Sequence, residues 1–331
     1  MANFTSLSEA DLAAAAAAFG LPAPDRAQPE PRGRVNTSYH LWAGGERWFL
    51  RISEGKGEAD VTFEAEVQRF LAAAHFPVPL LRPAADGRPF ALVAGKPALL
   101  FHYAPGEEKA AADVTPAHCL RVGEQLGRLH DLAAAITLER PNPYGPATVQ
   151  GWVAALGAGD GSDGAPALEP EAREALPLFR EEAAAAWRLP GAPRGLIHAD
   201  LFRDNVLWLG DRIGHLLDWE MACTDAFALD LATAVDAWCY RETHDHPRAV
   251  ALLQGYRSRR KLEPETVDAL HAHARFSAVR FALGRLRTFP AGRPAAGEGA
   301  AIVWKDWRRY RDRLVALRAL GPDGYRALLG L

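Results

Sequence analysis

An α+β chain in two lobes is what this sequence predicts: a small antiparallel sheet with one main helix over residues 1–103, then a mostly helical lobe over 104–331. Three observations lead there. Strand-like runs joined by tight turns crowd the first hundred residues, around one long helical pattern. From about residue 115 onward, apolar residues recur mainly at helical spacing. A chain of 331 residues also exceeds the roughly 250–300 that a single hydrophobic core serves.

In chain order, residues 7–19 read as a helix that Ser8 can cap, with Glu9 and Asp11 at its positive end and Gly20 after its last turn. Pro22, Pro24, Pro29 and Pro31 mark a connector. A turn from Gly33 to Ser38 runs into a strand ending near Trp42, and 47–52 returns across Ala43-Gly44-Gly45-Glu46. Lys56 lies beyond it in a loop read as mobile, Glu54-Gly55-Lys56-Gly57. The helix over 61–74 carries Glu64 and Glu66, and strands follow at 90–93 and 97–102. Thr115-Pro116 supplies a cap and a first-turn proline to a helix whose Cys119, Val122, Leu126 and Leu129 form one apolar face. Residues 138–170, rich in Gly, Pro and Ala around Asp160-Gly161-Ser162-Asp163-Gly164, read as a flexible insertion with a short helix open at 150–156. A hairpin at 206–217, a buried helix at 228–240 and a helical tail over 263–331 complete the chain.

Composition narrows the class. A net charge of −3 gives no electrostatic reason for nucleic acid or an anionic membrane as partner. The run Trp304-Lys305-Asp306-Trp307-Arg308-Arg309-Tyr310 mixes acids with its bases and reads as an amphipathic closing helix. Cys119, Cys223 and Cys239 are odd in number, scattered and outside metal-ligand spacing, which suits reduced thiols. No run approaches 18 apolar residues, and the N-terminal stretch lacks the basic start of a signal peptide. The expectation is a cytoplasmic protein with no obligate protein partner.

The chemistry gathers in His198-Ala199-Asp200-Leu201-Phe202-Arg203-Asp204-Asn205, closed by Leu217-Asp218-Trp219-Glu220. Val206–Leu209 and the apolar run from Ile213 flank the turn Gly210-Asp211-Arg212, so Asn205 enters one strand where Asp218 leaves the other. Cross-strand neighbours lie roughly 5 Å apart, close enough for an amide oxygen and a carboxylate to share a cation. Asp200 sits on the loop leading into that end. Each residue alone is ordinary: a turn-former, a strand-entry cap, a solvated strand end. Together they suit phosphoryl transfer, in which Mg²⁺ takes a few protein oxygens plus phosphates and water. Asn205 and Asp218 are the metal candidates, Asp200 is the base, and His198 braces the catalytic loop.

This spacing resembles the catalytic loop of the kinase superfamily, in its aminoglycoside phosphotransferase-like branch, whose members phosphorylate small alcohols. The resemblance implies a protein-kinase-like fold, ATP and Mg²⁺, and a small-molecule alcohol as acceptor. It implies that Ser38, in the first turn, lies over the phosphates, and that Arg51 stands where most kinases carry a phosphate-contacting lysine. Glu64 matches the ion-pairing glutamate, with Glu66 as competitor. Residues 97–106, including Phe101 and Tyr103, resemble the hinge that holds adenine. Gly127-Arg128-Leu129-His130 resembles the helix end packed behind the catalytic loop, and Asp230 a structural aspartate.

Within the branch, the residues from His198 to Val206, Ala222-Cys223, Asp230-Leu231-Ala232, Ala237-Trp238-Cys239, the run from Leu138 to Asn142 and the run from Val279 to Leu286 resemble homoserine kinases of the same fold. The likeness runs over about residues 4–315 and is strongest over 194–240. Arg34-Val35-Asn36-Thr37-Ser38 and Trp219-Glu220 depart from that group. A homoserine site must pair an ammonium, for which Asp204, Glu220 and Asp236 are candidates, and a carboxylate, for which Arg203, Arg280 and Arg285 are. The competing readings are another small-molecule kinase of the branch acting on an amino alcohol or aminoglycoside, a stress-response-type protein kinase, and a nucleotide-binding module without turnover.

Overall fold

The computed structural model describes residues 5–30, 35–158, 168–290 and 306–331. Gly33, the Asp160–Gly164 glycine-rich centre and Trp304-Lys305 lie outside the described residues.

The first of two compact units takes the chain to Glu107 and regains Leu207–Glu220. Helix α1 (Glu9–Ala18) starts at Ser8, whose hydroxyl accepts from the Asp11 N–H while the Asp11 carboxylate accepts from the Ser8 N–H. Part of the proline connector is a strand, β1 (Arg26–Pro29), and it is an edge strand, the place a sheet tolerates proline. Next come β2 (Thr37–Ala43), β3 (Glu46–Ile52), α2 (Glu58–Ala73), β4 (Leu81–Arg82), β5 (Ala91–Val93) and β6 (Lys96–His102). The sheet runs β1-β2-β3-β6-β4, antiparallel at each pairing, with β5 also paired to β6. Leu41, Leu50, Ile52, Ala98 and Leu100 fill its core, with Phe19 from the end of α1. β3 is thus interior, and Ser38 and Arg51 are direct cross-strand partners.

Main-chain bonds and ring packing hold the hairpin to this unit. Glu107 and Trp208 exchange backbone hydrogen bonds at 3.0 and 2.9 Å, and Leu216 N–H donates to Pro77 O at 2.6 Å. The Trp219 ring meets Phe76 edge-on. Gly106, at φ 140°, must be glycine, because a Cβ there would stand 2.9 Å from Leu207 Cβ. A single sequence cut at 103/104 places this hairpin with the helical residues; contact groups it with the strands.

The second unit holds Glu108–Val206, Met221 to the end of α8, and the C-terminal helix. Its helices and strands are α3 (Pro116–Leu132), α4 (Pro146–Ala158), α5 (Pro170–Ala185), β7 (Arg194–Ile197), β10 (Cys223–Ala226), α6 (Phe227–Trp238), α7 (His246–Arg257), α8 (Pro264–Thr288) and α9 (Arg308–Leu329). The hairpin strands are β8 (Val206–Leu209) and β9 (Arg212–Leu216). Within the stretch 138–170, the short helix left open at 150–156 is present and longer, as α4, anchored by Val149 and Val153 one turn apart and both buried. Every residue of α6 is buried. α6 is the floor against which the catalytic loop, between β7 and β8, is set.

Candidate active site

In the first unit a cluster forms around Arg51. Its Nη2 donates to Glu64 Oε2 at 2.6 Å, its Nη1 stands 3.6 Å from Asp218 Oδ1, and its Cζ lies 5.5 Å from the centre of the Phe101 ring. Burial works against the charge, but Glu64, Asp218 and Glu220 outweigh it and raise the guanidinium above its ordinary pKa. Arg51 is therefore a fixed cation. Glu64 is 1% exposed and also accepts from Gln68, whereas Glu66 pairs with exposed Arg69. Of the two glutamates, Glu64 meets Arg51.

Two partners in this cluster had no sequence signal. Asn36 Nδ2 donates to Glu220 Oε2 at 2.9 Å, and Lys56 Nζ donates to the Glu220 main-chain oxygen. The loop of Lys56 is thus tethered, and the Glu220 carboxylate, weighed as an ammonium partner, is engaged by Asn36. Asp218 has φ 59°, a left-handed conformation costly for a non-glycine residue and common where function sets the backbone. At the expected hinge, the His102 and Tyr103 N–H groups are taken by Leu80 O and Arg47 O, and the Tyr103 ring lies under Arg47 at 3.7 Å.

In the second unit the catalytic loop is clamped from both sides. Asp230, at the start of α6, accepts from His198 N–H at 2.9 Å and Ala199 N–H at 2.8 Å; Arg280, from α8, donates to Ala199 O at 2.8 Å. Ala199 is thereby held at φ 64°. Burial pushes the Asp230 carboxyl upward, but hydrogen bonds from His130 and the loop prevail and hold it below the ordinary carboxylate range. Burial likewise lowers His130, leaving a neutral imidazole that donates from Nε2 to Asp230 and accepts from Tyr256 Oη at Nδ1. His130 therefore steadies the loop through Asp230. Arg280, a candidate for a substrate carboxylate, is buried and braces the loop through Nη2.

Beyond the clamp, Asp200 and Asn205 come together. Asn205 Nδ2 donates to Asp200 O at 2.7 Å and Asp200 Oδ2 at 3.1 Å, and His198 Nδ1 accepts from Asp200 N–H. An amide whose nitrogen is held inward presents its oxygen on the opposite branch. Arg203 donates to Ala237 O at 2.5 Å, and Asp236 is 2% exposed on α6. Taken singly, Asn205 Oδ1 in the second unit and the Asp218 carboxylate in the first are hard oxygen donors, the kind that Mg²⁺ takes.

Comparison with known proteins agrees with this chemistry. The model of the phosphotransferase enzyme family matches residues 26–269. The homoserine kinase of Parvibaculum lavamentivorans is 32% identical over 331 residues, covering 98% of this chain and 99% of that protein. The homoserine kinase of Rhizobium etli is 32% identical over 87% of each chain. Among solved structures, the amicoumacin kinase hAmiN, in complex with AMP-PNP, Ca²⁺ and Ami, shares the fold at a TM-score of 0.68, with 16% identity over 90% of each chain. A choline kinase from Cryptosporidium parvum matches at a TM-score of 0.62, with 14% identity over 92% of this chain and 93% of that one. The expected α+β, protein-kinase-like fold is borne out. The chain belongs to the phosphotransferase enzyme family and is a phosphotransferase with an alcohol group as acceptor.

Proposed function

We propose that the protein transfers the γ-phosphoryl group of ATP to the hydroxyl of L-homoserine. The reaction rests above all on one observation: Asp200 is presented from a clamped loop, with the Asn205 amide donating to its carboxylate and fixing the orientation in which it would accept a proton. The acceptor rests on the relatives named homoserine kinase that match nearly the whole chain.

The hydroxyl oxygen bonds to the γ-phosphorus, the bond from phosphorus to the bridging oxygen breaks, ADP departs, and the hydroxyl proton passes to Asp200. Asn205 and Asp218 would hold Mg²⁺, which when bound neutralises charge on the phosphate oxygens. Arg51, fixed by Glu64, faces phosphate as a second cation, with Ser38 opposite it on β2. Phe101 and Tyr103 belong to the adenine side. Because the His102 and Tyr103 N–H groups are already bonded, we assign recognition of the base to other backbone groups of residues 101–106.

The test is ADP release with ATP, Mg²⁺ and an alcohol panel led by L-homoserine. Asp200→Asn should cut turnover by about 10²–10⁴-fold and leave ATP affinity near that of the parent. Retention of more than about a tenth of the rate would remove the base assignment. Faster turnover of an aminoglycoside or an amino alcohol, or label appearing on protein, would replace the acceptor.

A further inference from the structure

Near the end of α6, both carboxylate oxygens of Asp236 are buried without a hydrogen-bond donor among the described residues. His244 Nε2 stands 3.5 Å from Oδ1, outside hydrogen-bond geometry, and is itself unbonded. The His244 ring meets Tyr240 edge-on at 4.8 Å and lies 6.4 Å from that of Tyr325, whose hydroxyl is also buried and unbonded. Arg313 Cζ sits 4.8 Å from the Tyr240 ring centre, and its Nε too has no partner. Buried polar atoms in folded proteins are nearly all bonded. Four unbonded groups from α6, the segment after it and α9 converge here.

The cluster borders the catalytic loop. Arg203 reaches Ala237 O, next to Asp236, and Trp238 Nε1 donates to Leu201 O at 2.9 Å. Tyr310 of α9 packs edge-on against Phe202 at 6.4 Å and carries Arg313 over its face at 5.3 Å. Asp200 immediately precedes this run of loop contacts.

Its charge has two signs. Arg309 and Arg313 are four residues apart on α9, a like-charge spacing that disfavours a helix. Arg203 lies in the field of both; burial, then Arg309, with a smaller share from Arg313, depress its pKa against the opposing pull of Asp204. An anion would relieve those guanidinium groups, and a cation or strong donor would satisfy Asp236.

We propose that this cluster reads both ends of the acceptor and selects a small zwitterion, an α-amino acid with a side-chain hydroxyl: its carboxylate on Arg203, Arg309 and Arg313, its ammonium on Asp236 beside Tyr240. The assignment rests on the phosphotransferase reading above and adds the residues that set its specificity. A polycationic sugar or a quaternary amine does not answer three guanidiniums. An amino alcohol leaves them without an anion, and a hydroxy acid leaves Asp236 without a cation.

Three alcohols test it: L-homoserine, 3-aminopropan-1-ol, which lacks the carboxylate, and 4-hydroxybutanoate, which lacks the ammonium. The parent should prefer L-homoserine to either by about 10²-fold or more in kcat/KM, as sites built for a polar group reject analogues without it. Arg313→Met should lower kcat/KM for L-homoserine by about 10²-fold and leave 3-aminopropan-1-ol unchanged. Asp236→Asn should do the same against an unchanged 4-hydroxybutanoate. KM for ATP and the melting temperature without acceptor report that each variant is folded. Arg309→Ala, one turn before Arg313 at an exposed position of α9, repeats the carboxylate test should Arg313→Met fail to fold. Equal losses on all three alcohols, or no loss, would overturn the site while leaving homoserine phosphorylation standing. No turnover of L-homoserine by the parent would overturn that reading, and the site with it.

Discussion

A guanidinium at position 51 meets its two carboxylates from separate nitrogens of one rigid fork, which an ammonium lacks: one branch bonds Glu64 while another approaches Asp218. Arg51→Lys should therefore keep the charge beside buried Glu64, and with it the fold, but lose one arm of the fork. One charge-assisted hydrogen bond is worth about 1.5–3 kcal/mol, so ATP affinity should fall by roughly 10–100-fold. Arg51→Ala strands Glu64 as an unpaired buried carboxylate and should cost about 3–5 kcal/mol of stability. Calorimetric titration with a nonhydrolysable ATP analogue and thermal melting check both; parent-like melting of Arg51→Ala would contradict the pair's role. In the sequence Glu66 stands as a competitor to Glu64; the structure puts Glu64 with Val61, Ala65, Gln68 and Leu71 on the buried face of α2. Asn36 and Lys56 were not legible. Their partner Glu220 lies 184 and 164 residues away, and single-sequence spacing carries no information at that range.

At the scale of elements, the catalytic loop is only as rigid as the helices behind it, and those pack without side chains between them. A Cβ on Gly123 of α3 would stand 1.9 Å from Leu252 O, and one on Gly255 of α7 would stand 2.0 Å from Leu120 O. The two backbones are in direct contact, and Tyr256, which bonds His130, follows Gly255. Gly255→Ala must push α7 away from α3, at about 1–3 kcal/mol or more. Because His130 bears on Asp230 and Asp230 on Ala199, the shift should also lower kcat. The expected result is a lower denaturation midpoint together with slower turnover at unchanged KM for ATP. A destabilised variant with parent kcat would show that the loop does not depend on this contact. α3 was readable from its cap and apolar stripe, whereas α4 was legible only over 150–156, its ends blurred by alanine and glycine, residues shared by weak helices and loops. β7 and β10 are four residues each, too short for an alternating pattern to stand out.

For the whole molecule, length and the change from strand to helix patterning made two units legible, but not the return of Leu207–Glu220 to the first. That return depends on backbone bonds from Glu107 and Pro77, which leave no compositional trace. Two compact units also shape the response to pH. Burial lowers the pKa of His215 in the first unit and of His130, His271 and His273 in the second. In the unfolded chain each titrates near about 6.5. Below that pH the unfolded state binds protons that the folded state refuses, so stability falls as pH drops, by up to about 1.4 kcal/mol per pH unit for each histidine. At the alkaline end burial raises Cys223 to about 12, with Cys239 and Tyr256 also raised. An unfolded thiol ionises near about 8.5, so above that pH the unfolded state releases protons that the folded state keeps, and stability falls again. Asp230 takes no part over this range, since its depressed pKa matters only below the ordinary carboxylate value. Scanning calorimetry should therefore show greatest stability between about pH 6.5 and 8.5. If the units melt separately, the transition carrying three of these four histidines together with Cys223, Cys239 and Tyr256 should move further with pH. A melting temperature that rose between pH 7 and 5.5 would mean that these imidazoles gain, rather than lose, proton affinity on folding.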